Sequence, residues 1–85
     1  MSQITTLNSK KATLNDRVAA NLRAEMAAQR KSVTDLSEAL RVGHRAATRR
    51  WSGEQDIGLN ELELLSKWLD VPLSAFMVSR ERQVA

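Results

Sequence analysis

Apolar residues along this chain fall into runs with helical spacing, separated by short polar breaks. In the first run Leu14, Val18, Leu22 and Met26 recur every four residues, with Ala19 beside them. That stripe predicts a helix with one buried face running to about Gln29. Thr13 stands where an N-cap belongs, and Asp16 places an acid in the first turn. Arg30-Lys31 breaks the pattern. Ser32 and Asp35 then form an S-x-x-D capping signature ahead of Val33, Leu36, Ala39 and Leu40, which predict a second helix over 33–40.

Arg41-Val42-Gly43 turns the chain. Gly43 is an acceptable N-cap for a third helix from His44 to about Ser52, and Gly53 is placed to stop it. Residues 54–58 read as a loop. Leu59, Leu62, Leu65 and Leu69 give a fourth helix its inward stripe, which Val71-Pro72 closes. Pro72 suits the start of a short fifth helix through Phe76, because proline is tolerated in a first turn. The expected fold is therefore all-α, a compact five-helix domain over 13–77. A flexible polar arm, 1–12, precedes it and ends in Lys10-Lys11; a tail, 78–85, follows.

A length of 85 residues bounds this to one small domain. The chain has no cysteine and a single histidine, His44, so disulfides and Cys/His zinc sites are excluded and no metal or cofactor is expected. No apolar run approaches the ~18 residues a membrane span needs, and no apolar signal core opens the chain. A cytoplasmic protein without a membrane partner is expected. Gly43, Gly53 and Gly58 do not space into a phosphate-binding fingerprint, and no nucleophile–base set or paired carboxylate emerges, so no enzyme is expected.

Charge sharpens the picture. The net charge is +3, but its distribution is uneven. Residues 1–53 carry ten Lys/Arg against four acids, while residues 54–85 carry three against six. A basic part beside a mildly acidic one suits a protein that turns one face to a polyanion.

The third helix places His44, Arg45, Thr48, Arg49 and Ser52 along one broad polar face, with Ala47 and Trp51 opposite as an i, i+4 pair. Arginine matches guanine O6 and N7 bidentately, threonine can meet a thymine methyl, and histidine can bond a base edge. The free N–H groups of Val33 and Thr34, opening the second helix, suit a phosphate, with Arg30 and Lys31 just before them. Two short helices joined by a tight turn are a shape that enters the DNA major groove. Lys10 and Lys11 of the arm are candidates to follow the minor groove or a phosphate strand. Leu64 and Trp68 point away from the inward stripe of the fourth helix. They either complete the core or join Met77 and Val78 in a self-association surface.

At this point the residues resemble a known family. The run Leu36-Ser37-Glu38-Ala39-Leu40-Arg41-Val42-Gly43 is similar to the Leu-Ala-Glu-x-Leu-Gly-Val-Ser segment of lambda-repressor-like helix-turn-helix domains, the phage repressor and Cro type. Ala47 matches that family's inward Ile/Val position, and Ser52-Gly53-Glu54 looks like the ending of its recognition helix. Leu62, Leu65, Leu69-Asp70-Val71 and Phe76 resemble its fourth and fifth helices, so the likeness spans roughly residues 14–77. Ser37 replaces the usual alanine, and Arg41 the usual glycine of the turn, which asks for a side chain in a left-handed backbone. Arg50 stands where an inward isoleucine is usual, with Trp51 taking over the packing one position later.

The resemblance implies a sequence-specific, double-stranded-DNA-binding transcriptional regulator, a small phage-type or prokaryotic repressor acting in the host cytoplasm or nucleoid. Its third helix would enter the major groove of an operator. His44, Arg45, Thr48 and Arg49 would read bases, and Ser32, Thr34, Arg50 and Ser52 would hold phosphates. Useful specificity implies a homodimer, formed in solution or only on DNA, on a palindrome with half-site centres ~34 Å apart. The residues leave two alternatives open: a protein-interaction module of antitoxin or anti-repressor kind, and an architectural or recombination-directionality factor that bends DNA.

Overall fold

The computed structural model describes residues 13–79. Four α-helices occupy this span: α1 (Leu14–Ala28), α2 (Val33–Leu40), α3 (His44–Ser52) and α4 (Leu59–Leu69). No strand occurs among the described residues.

The helices begin where side chains can satisfy their first N–H groups. Thr13 Oγ1 accepts from the Asp16 N–H and the Asp16 carboxylate accepts from the Thr13 N–H, both at 3.0 Å. Ser32 and Asp35 repeat this reciprocal pairing at 3.1 and 2.8 Å. Gly58 has no side chain to offer, so α4 keeps only the return half, Glu61 Oε1 accepting from the Gly58 N–H at 3.1 Å. Each box satisfies donors that would otherwise be orphaned at the helix start.

The helices end by left-handed turns. Arg30, Arg41 and Asp70 have φ of 59°, 59° and 57°, and Gly53 has 94°. At Arg41 this lets the Val42 N–H reach back to the Ser37 carbonyl at 3.1 Å, closing α2. A side chain in this conformation costs ~1–2 kcal/mol, whereas glycine adopts it freely but loses ~0.5–1 kcal/mol of chain entropy. Arg41→Gly is therefore expected to stabilise the protein by roughly 0.5–1 kcal/mol, read as a higher urea midpoint at unchanged slope. A lower midpoint would show that the Arg41 side chain supplies more than its backbone costs.

One core joins the elements: Val18, Ala19, Leu22 and Met26 from α1, Leu36 and Leu40 from α2, Ala47 from α3, Leu62, Leu65 and Leu69 from α4, and Phe76. Trp51, Trp68, Val33, Val42, Ile57 and Val71 pack at its margin. α3 packs on both α1 and α2, and α4 packs on α2.

Three expectations are corrected. The fifth helix is a single 3₁₀ turn, Leu73–Phe76, against α1 and α4, with Pro72 as its cap rather than its first residue. Four residues sustain one tight turn and no more. The inward stripes of α1 and α4 also start one turn later than expected. Leu14 is 53% exposed and Leu59 85% exposed, each being the first residue of its helix.

Side-chain amides tie the ends of these elements together. Buried Asn21 donates to the carbonyls of Phe76 and Val78, both at 2.8 Å, and Gln29 donates to the Leu69 carbonyl at 2.7 Å. Among the described residues no helix is long and apolar enough to cross a membrane.

Candidate nucleic-acid interface

Ala47 is fully buried at the middle of α3, so the helix must turn its opposite side outward. His44, Arg45 and Arg49 are exposed there and Thr48 is half-buried. All four line one shallow, open concavity of about 600 Å³, together with Glu54. The four side chains expected to read bases are thus brought together. Glu54 is an addition that helical spacing does not reveal, because it lies beyond the Gly53 turn.

The rotation of α3 is fixed from two sides. On the α1 side, Arg23 Nη1 donates to the Trp51 carbonyl at 2.7 Å, and its guanidinium carbon lies 5.7 Å from the Trp51 ring centroid. Such a cation–π contact contributes about 0.5–1 kcal/mol near a surface. Asn15 braces the following turn, donating to the Gly53 carbonyl at 3.3 Å and accepting from the Ile57 N–H at 3.0 Å. Trp51 therefore packs inward, away from the polar face.

On the α4 side, Arg50 Nε sits 3.0 and 3.1 Å from the two Glu61 oxygens, and Arg50 Nη1 donates to the Ala46 carbonyl at 3.0 Å. Arg50, expected to hold a phosphate, is thus paired with Glu61 in the chain alone. Its side chain is only 11% exposed and ties α3 to α4. The Arg50 hydrogen bonds hold the Glu61 carboxyl below its ordinary range, helped by the Gly58 N–H.

Because this carboxyl is depressed in the folded protein, its stabilising effect is complete above the unfolded value and fades as pH falls through the folded one. Stability should therefore drop below pH 4.5, the ordinary value for this group. Glu61→Gln leaves Arg50 without its counter-charge while Glu61 is only 25% exposed, a loss of roughly 1–3 kcal/mol at neutral pH. Urea midpoints measured across pH should fall less steeply in acid for the variant than for the parent protein.

At the start of α2 the capping box uses the N–H groups of Ser32 and Asp35. Among the described residues no hydrogen bond engages the N–H groups of Val33 and Thr34, which remain available to an anion. Bonds to the Ser32 backbone and hydroxyl, with nearby Lys31, keep the Asp35 carboxyl below its ordinary range. Arg30 is exposed. The Lys31 ammonium lies 5.3 Å from the Trp68 ring centroid, so Lys31 covers Trp68 as well as adding charge here.

Two hydroxyls are partly committed. Thr48 Oγ1 donates to the His44 carbonyl at 2.9 Å, and Ser52 Oγ donates to the Arg49 carbonyl at 3.1 Å. Each keeps acceptor capacity, and Thr48 keeps its methyl group for apolar contact.

Trp68 is half-buried against the core, whereas Leu64, Met77 and Val78 are exposed. Met77 lines an apolar hollow with Leu14, Val18, Ile57, Leu59 and Leu62. Lys10 and Lys11 lie outside the described residues. Among the described residues no group of three or more His, Cys, Asp or Glu is placed to hold a metal. No family model, curated protein or solved structure matches the chain.

Proposed function

We propose that this protein is a sequence-specific DNA-binding transcriptional regulator, with α2 and α3 as a helix-turn-helix of the lambda-repressor-like kind. The observation that carries this reading is the gathering of His44, Arg45, Thr48 and Arg49 on one exposed face of a helix locked in rotation. Major-groove readout asks for rigid, outward arginines beside smaller polar groups, because base edges discriminate only when the donors arrive at fixed positions. An α-helix such as α3 is ≈ 10–12 Å across with its side chains, a diameter that the ≈ 12 Å width of the major groove admits.

Phosphate contacts come from the N–H groups of Val33 and Thr34, with Arg30, Lys31 and the Ser32 hydroxyl beside them. Arg50 is left out of that set because Glu61 already holds it. One domain of this size reads one half-site, so a pair on a palindromic operator is the expected working form. Occupying the operator would exclude other proteins from it, the simplest form of repression.

Amide mapping by NMR tests the placement. Adding a pool of short duplexes at low salt should shift the signals of residues 33–34 and 44–49 together. Shifts confined to α1 or α4, or none at all, would remove α3 from the interface.

A further inference from the structure

The concavity on α3 includes one residue that a surface built only to attract phosphates would lack. His44, Arg45, Thr48 and Arg49 share it with an acid, Glu54. Glu54 is exposed. Among the described residues no hydrogen bond or ion pair engages its carboxylate. It therefore does not serve to hold Arg45 or Arg49 in place.

The backbone around Glu54 is nonetheless fixed. The left-handed turn at Gly53, with φ of 94°, carries the chain back beside the end of α3. Asn15 donates to the Gly53 carbonyl at 3.3 Å, and the Gln55 N–H donates to the Arg49 carbonyl at 3.1 Å. Glu54 is thus anchored on both sides, close to Arg49, and little ordering is needed before it meets a ligand. A carboxylate brought against DNA is repelled by the phosphates of both strands. That repulsion is offset where the carboxylate accepts a hydrogen bond from a base, and the donors in the major groove are cytosine N4 and adenine N6. Adenine sets its N7 acceptor beside N6, which opposes the second carboxylate oxygen, whereas cytosine offers N4 with no acceptor beside it. Guanine and thymine present acceptors and no donor on that edge, so both are rejected.

We infer that Glu54 is a specificity-determining residue that accepts a hydrogen bond from a cytosine N4 amino group, at the base position next to the one Arg49 reads. The inference rests on the proposed entry of α3 into the major groove. The arginines attract any DNA and favour guanine, while Glu54 weakens binding to every sequence that lacks cytosine at its position. Discrimination then comes from a penalty on wrong sites as well as from contacts on the right one.

Parallel selections from a random duplex library, with the parent chain, Glu54→Ala and Glu54→Gln, test this. The parent should enrich a motif with cytosine next to the position that Arg49→Ala relaxes. Glu54→Ala should lose the preference at that position alone and bind the parent's motif about fivefold more weakly, or worse. It should bind random duplexes more tightly, having lost a charge that the phosphates repel. Glu54→Gln should move the preference to adenine, whose N6 and N7 suit an amide. Both variants should keep the parent's urea midpoint, because Glu54 is exposed. An identical motif from the parent and Glu54→Ala would overturn the role of Glu54 and leave the proposed function standing. Relaxation at every position together would make Glu54 a positioning residue for the arginines, which also overturns the inference. No motif from the parent would overturn both.

Discussion

Phe76→Ala is expected to lower the unfolding free energy by about 3–5 kcal/mol. Phe76 is fully buried, and it is the residue by which a four-residue turn is joined to the core. Removing the ring forfeits its transfer free energy and leaves a cavity among Leu, Val and Met side chains that cannot collapse fully around it. It also loosens the backbone carbonyl to which buried Asn21 donates, exposing that amide to a partial loss of its partners. A domain of 85 residues has a total stability of only ~4–13 kcal/mol. The variant should therefore show a large drop in urea midpoint and a partly unfolded population at body temperature. A loss under ~1 kcal/mol would mean that the 3₁₀ turn detaches without disturbing the helices, and that α1 to α4 fold as a unit without it.

Arg45→Ala and Arg49→Ala are each expected to weaken binding to the preferred DNA sequence by ~1–3 kcal/mol, or about 5- to 150-fold, and binding to random duplexes far less. Both side chains are exposed, so folding stability should change by no more than about 0.5 kcal/mol. That separation matters, since a weakened binder with an intact urea midpoint has lost contacts and not structure. Equal losses on preferred and random DNA would move the residue from base reading to phosphate contact. Ser52 provides a contrast within the same helix: its hydroxyl already donates to the Arg49 carbonyl, and Ser52→Ala should cost much less on either DNA.

The helix limits were legible because local chemistry sets them. Thr13/Asp16 and Ser32/Asp35 satisfy N–H groups three residues away, and Gly53 takes the left-handed turn that ends α3. The inward leucines of α4 and the buried face of α1 follow from spacing alone. Stripe reasoning overreached at Leu14 and Leu59, since a period places a residue on a face but does not say how far along the axis the core extends.

What spacing could not show are the long-range polar ties. Asn15, Asn21, Arg23 and Gln29 reach carbonyls 28 to 57 residues away, and nothing in their local context distinguishes them from solvated side chains. The same limit explains Arg50. Its place among other arginines reads as part of a basic surface, but its partner Glu61 becomes visible only once α3 and α4 are packed. The face of His44, Arg45, Thr48 and Arg49 was legible because all four share one short helix. Glu54 was not, because it joins them from across a turn.

Selection of bound sequences from a random duplex library at near-physiological salt tests the central proposal most directly. A recognition surface built from His44, Arg45, Thr48 and Arg49 predicts an enriched motif bound at least a thousandfold more tightly than random DNA. A palindromic motif would report a dimer and a single half-site a monomer. Retention without enrichment would contradict sequence-specific regulation and leave only charge-driven contact with the phosphate backbone. No retention even at low salt would contradict DNA binding altogether.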